Sequence, residues 1–84
     1  EAIMPRNGGS RITIANANVP NMVGQISTIL AEANLNIADL LNKSRGEIAY
    51  TIIDLDGGIT EETLDAIRNI QGVLMLRHLS ASTD

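Results

Sequence analysis

The chain has 84 residues, ten acidic against six basic side chains for a formal net charge of −4, one aromatic ring at Tyr50, and no Cys, Phe or Trp. That length holds one small domain which, burying only about 60% of its unfolded surface, gains much from a partner surface. The composition excludes disulfides and thiolate metal sites, and it lacks the clustered cations that nucleic acid or an anionic membrane requires.

Residues 1–10, with Pro5 and the pair Gly8-Gly9, read as a linker arm from a preceding domain, and the opening Glu1 in place of Met is the start expected of an excised or processed piece. Arg11 to Ala15 alternates, with Ile12 and Ile14 on one face, as a strand does. After the loop Asn16-Ala17-Asn18-Val19-Pro20-Asn21, the spacing of Val23, Ile26, Ile29, Leu30 and Ala33 predicts an amphipathic helix. Pro20 or Asn21 suits its first turn, and Asn34 suits its stop because Asn tolerates the left-handed conformation. A second strand is expected from Ile37 to Ser44, a tight turn at Arg45-Gly46, and a third strand from Glu47 to Asp54 carrying Ile48, Tyr50 and Ile52 on one face. Asp56-Gly57-Gly58 breaks the sheet. Thr60 then caps a second helix, whose first-turn Glu61 and Glu62 match the positive end of the dipole and whose buried stripe is Leu64, Ile67 and Ile70. Gly72 ends that helix, Val73 to Leu79 is the fourth strand, and residues 80–84 form a polar tail.

The order strand, helix, strand, strand, helix, strand is two split βαβ units. It predicts an α+β ferredoxin-like βαββαβ sandwich over residues 11–79, a four-stranded antiparallel sheet with two helices on one face and the other face open. Fold alone does not fix function.

Catalytic chemistry has little to stand on. His78 is the only histidine and reads as a surface or edge residue, so no paired-His metal site is available, and Ser10, Ser27, Ser44, Thr13 and Thr51 have no base that the sequence suggests. The carboxylates are scattered over predicted surfaces, no glycine pair opens a helix as a phosphate loop would, and Tyr50 alone cannot stack bases on the sheet. An acylphosphatase-like activity on this fold would need an Arg in the loop after the first strand, and that loop has none. No apolar run approaches the roughly 18 residues of a spanning helix, and none has the make-up of a signal peptide, so a cytoplasmic location is expected.

The amides are the informative cluster. Asn16, Asn18 and Asn21 crowd the loop before the first helix, and Asn34 and Asn36 occupy the turn before the second strand. In the split βαβ topology these turns lie at opposite ends of one subunit, so two subunits are needed to bring both sets together. A free amino acid is a zwitterion: its carboxylate needs N–H donors and its ammonium needs oxygens, and an Asn side chain offers both. Backbone N–H groups at the helix start, at Met22 and Val23, would add donors for the carboxylate. Turn chemistry accounts for each loop Asn taken singly.

Arg11 to Leu79 resembles an ACT domain, specifically the C-terminal regulatory domain of D-3-phosphoglycerate dehydrogenases. The resemblance rests on Asn18-Val19-Pro20-Asn21-Met22-Val23-Gly24-Gln25-Ile26, on Leu30-Ala31-Glu32-Ala33-Asn34-Leu35-Asn36-Ile37-Ala38, on Ala49 to Asp54, on Gly72-Val73 with Arg77, and on the connector Met4 to Ser10. It implies feedback control of serine biosynthesis, with L-serine or another small amino acid bound where two such domains meet. Asn18 matches the loop amide that holds the ligand, and Asn36 matches the partner subunit's contribution. Asn16 stands where some members have His, and Asn21 where the family pattern has Gly. The resemblance also implies a homodimer, no catalytic residue, metal or cofactor in this domain, and NAD in an N-terminal catalytic domain of an NAD-dependent dehydrogenase. Dimerisation is expected through edge pairing of strand 1 with its copy. A ligand-silent structural dimerisation module is the alternative.

Overall fold

The computed structural model describes residues 9–80. Its elements run β1 (Ser10–Ala17), α1 (Met22–Glu32), β2 (Ile37–Arg45), β3 (Ile48–Leu55), α2 (Glu61–Arg68) and β4 (Val73–Ser80). The four strands form one antiparallel sheet in the order β2-β3-β1-β4, the expected ferredoxin-like arrangement. The domain measures 36 × 30 × 17 Å, and its short axis holds one sheet and a single layer of helices about 10 Å in diameter. The expected connector and tail lie outside the described residues, except that Ser10 and Ser80 each begin or end a strand.

The aliphatic composition is concentrated between sheet and helices. Ile12 and Ile14 of β1, Ile53 and Leu55 of β3, Met22, Ile26 and Leu30 of α1, and Leu64 and Ile67 of α2 form the buried cluster. In α1 the buried residues recur every fourth position, while Ile29 is half-buried and Ala33 is an exposed cap residue. In β3 the inward face is Ala49, Thr51, Ile53 and Leu55. Ile48, Tyr50 and Ile52 do share a face, as their spacing predicts, but it is the face turned away from the helices. Alternation separates the two faces of a strand without saying which one the helices cover.

Strand 1 is not an edge. It hydrogen-bonds β3 on one side and β4 on the other, so the expected pairing of strand 1 with a second copy has no free ladder to use. The edges are β2 and β4. The helix crossing from β1 to β2 and that from β3 to β4 interleave, which places β1 and β3 at the centre of the sheet. Eight of the nine residues of β2 are exposed, and Leu40 alone is half-buried.

On the helix-free face the Arg11 guanidinium grips Asp54 with both ends, Nε to Oδ1 at 2.7 Å and Nη2 to Oδ2 at 2.9 Å. The Asp54 hydrogen bonds raise the guanidinium's already high pKa, with a smaller contribution from the charge on Asp39. Tyr50, Leu41, Met75 and Leu79 leave about half of their area exposed. No helix among the described residues is long and apolar enough to cross a membrane.

Candidate functional site

The loop after β1 is held by short backbone contacts. Ala17 N–H donates to the Gly72 carbonyl at 2.7 Å, and Asn18 N–H donates to the Glu47 carbonyl at 2.8 Å. Val19 N–H returns to the Ala17 carbonyl at 2.9 Å, closing a three-residue turn with Asn18 at its centre. The Asn18 side chain is exposed and its Nδ2 donates to the Gly46 carbonyl of the β2–β3 turn at 3.2 Å. Its Oδ1 is thereby oriented away from that turn, as an acceptor that an ammonium group could use.

Asn21 precedes α1 with φ 65 and ψ 15, a left-handed conformation that glycine adopts most readily and Asn next. Its side chain makes no cap hydrogen bond, and no acidic residue lies in the first turn. The amides of that first turn have no intrahelical acceptors by geometry, and this helix start supplies no side-chain substitute. The Asn21 Oδ1 lies directly over Gly24, where an added Cβ would collide with it. At the helix start Met22 sends its side chain into the core and Val23 is half-buried.

Asn16 sits elsewhere than expected. It belongs to β1 rather than to the loop and is 1% exposed, its amide turned into the domain. Asn36 is exposed immediately before β2, and its carbonyl accepts from Asp56 N–H at 3.1 Å. Asn34 has φ 62, and the bonds Asn34 N–H to Ala31 and Leu35 N–H to Leu30 finish α1 as a left-handed Asn allows. Register puts Ala17, Ile48 and Arg45 at one end of the sheet and Ser10, Leu55 and Ile37 at the other. Asn18 bonds at Glu47 and Asn36 at Asp56, so nine strand steps separate them, about 30 Å. One subunit brings Asn18, Asn21 and the helix start together and leaves Asn36 apart. Two grooves flank the loop, one lined by Asn21, Gly24, Gln25, Thr28, Ile29 and Ile70, the other by Ala17, Val19, Gln25, Gln71 and Gly72. Neither contains Asn18 or Asn36.

Two polar residues escape a reading by motif. Thr51 is fully buried on the inward face of β3 and Asn42 lies beside it on β2, joined by a 2.8 Å hydrogen bond from Asn42 Nδ2 to Thr51 Oγ1. A hydroxyl at an inward position between Ala49 and Ile53 was the available signal. His78 lies on β4 opposite Ile12, half-buried, with Nε2 enclosed and without a hydrogen-bond partner among the described residues.

Comparison with known proteins bears on the fold. The ACT domain of the GTP pyrophosphokinase of Chlorobium tepidum superposes with a TM-score of 0.72 at 20% identity, covering 86% of this chain and 97% of that one. An ACT domain protein from Streptococcus pneumoniae gives 0.71 at 18% identity, covering 88% and 91%. The chain thus has the fold of the ACT domains, as its sequence motifs imply. In sequence it is similar to the D-3-phosphoglycerate dehydrogenase of Haemophilus influenzae, 28% identical over 80 residues, which is 94% of this chain. It spans about a fifth of the length of that relative. No family model matches the chain.

Proposed function

We propose that this domain is the amino-acid-sensing part of a D-3-phosphoglycerate dehydrogenase, pairing with a second copy and holding L-serine across the pair. The observation that carries the reading is the placement of Asn18 and Asn36 at opposite ends of a subunit whose β2 edge is almost wholly exposed. Two copies pairing antiparallel along β2 set the start of one strand beside the end of the other. Asn36 of one copy then lies next to the Arg45-Gly46 turn of its mate, the turn to which that mate's Asn18 is bonded. The ligand carboxylate would take the helix-start amides at Met22 and Val23, and its ammonium the Asn oxygens. Pairing at β2 also covers an edge that would otherwise template aggregation. Serine bound across the pair favours one arrangement of subunits, which an attached NAD-dependent catalytic domain reads as feedback.

Thermal melting of the 84-residue chain with a panel of amino acids, at fixed protein concentration, tests this. Ligand at 100 times its dissociation constant adds about 2.7 kcal/mol, and L-serine should raise the midpoint in wild type but not in Asn18→Ala or Asn36→Ala. Mixing the two variants should restore about a quarter of the sites, because each mixed dimer regains one intact pair. A flat panel in a proven dimer would leave the ligand-silent dimerisation module, a reading to which the Asn21 side chain over Gly24 lends weight by narrowing the approach to the helix start.

A further inference from the structure

Three side chains form a directed line of hydrogen bonds across the sheet. Asn42 Nδ2 on edge strand β2 donates to Thr51 Oγ1 on β3 at 2.8 Å. That hydroxyl donates to Asn16 Oδ1 on β1 at 3.3 Å. Asn16 Nδ2 in turn donates to the Ala17 carbonyl at 2.8 Å. Each member has the donor or acceptor its place demands, and Thr51 and Asn16 are fully buried, at 0% and 1% exposure. Burying two polar side chains in an aliphatic core is costly unless they are bonded, so an apolar pair would have served a purely structural purpose better.

The line ends on a particular atom. The Ala17 carbonyl also accepts from Val19 N–H, the bond that closes the turn centred on Asn18. Asn16 therefore holds the carbonyl on which the Asn18 turn is built, and Asn42 holds the other end of the line at the exposed edge.

We infer that Asn42, Thr51 and Asn16 are positioning residues that fix the Asn18 turn from the β2 edge, so that pairing at β2 and amino-acid binding at Asn18 are coupled. Asn16 serves the ligand through Ala17 rather than by touching it. The coupling rests on the amino-acid-site reading above. The positioning of the turn does not, and it can be measured without ligand.

Residue-resolved amide exchange of the 84-residue chain separates the two. Thr51→Val should speed exchange at Val19 by about tenfold, the loss expected for a broken buried hydrogen bond, relative to Leu64 in α2. Thr51→Ser should restore the wild-type rate. Asn42→Ala, at an exposed position that does not threaten folding, should speed Val19 in the same direction by about threefold, since it breaks only the outer bond. A Val19 rate unchanged in Asn42→Ala and Thr51→Val, or raised no more than that of Leu64, would overturn the inference. Titration with L-serine completes the test: affinity should fall in both variants and recover in Thr51→Ser. If wild type binds no amino acid, the sensing reading fails and the coupling with it, while the Val19 rates still decide whether the line positions the turn. If the variants bind L-serine as wild type does, the coupling fails alone.

Discussion

The two helices begin in opposite ways. The first turn of α2 is closed by its own chain: Thr60 is extended, its Oγ1 accepts from Thr63 N–H at 3.2 Å, and Glu61 and Glu62 stand at the positive end of the dipole. At α1 the cap residue is left-handed, no side-chain cap bond forms, and the first turn carries no acid. Local capping rules are followed at α2 and broken at α1, where the proposed amino-acid site lies. A departure of that kind marks a functional site more often than an error in the sequence. Both helices are nevertheless anchored alike, by buried aliphatic side chains against the same sheet.

Deep in the core the difference between the helices should vanish. Ile26→Ala in α1 and Leu64→Ala in α2 each remove a fully buried side chain and should cost about 2–5 kcal/mol by urea denaturation. A much smaller cost at Ile26 would mean that α1 is held by its loop after all. Next in size, Asn21→Val places a β-branched residue at φ 65, and should cost about 1–2 kcal/mol. Thr60→Ala removes the cap of α2 and should cost about 1 kcal/mol. The smallest effect has the opposite sign: Asn21→Gly relieves the left-handed strain and should stabilise by a few tenths of a kcal/mol to about 1. It should also open the helix start, so L-serine should bind more tightly, as calorimetry would show.

The contrast between the helices also explains what could be read from the sequence. Everything that makes α2 is local. Thr60, the two glutamates, and Leu64 and Ile67 lie within one short stretch and point to one answer. The strand order follows from the two interleaved crossovers, yet edge pairing of strand 1 was the expectation, because edge identity depends on which strands the crossovers separate and no single residue signals it. The face of β3 was equally hidden. Ile48, Tyr50 and Ile52 look as apolar as Ala49, Thr51 and Ile53, and the choice is made by Ile12 and Ile14 across the ladder. At the candidate site the loop amides were legible as a group, but Asn16 was not separable from Asn18. Two residues of extra strand at the end of β1 take Asn16 out of the loop, and its partners Thr51 and Asn42 lie 35 and 26 positions away.

The open face of the sheet has an optical consequence. Tyr50 is the single aromatic residue and stands on that face with 49% of its area exposed, flanked by Ala15 on β1 and Lys43 on β2. It lies on the face away from the aliphatic core packed under the helices. Near-ultraviolet absorption and fluorescence therefore report on the open face of the sheet rather than on the packing between sheet and helices. The same signal will respond to whatever comes to rest on the bare side of the sheet, so this protein carries a built-in dye for contact and none for packing.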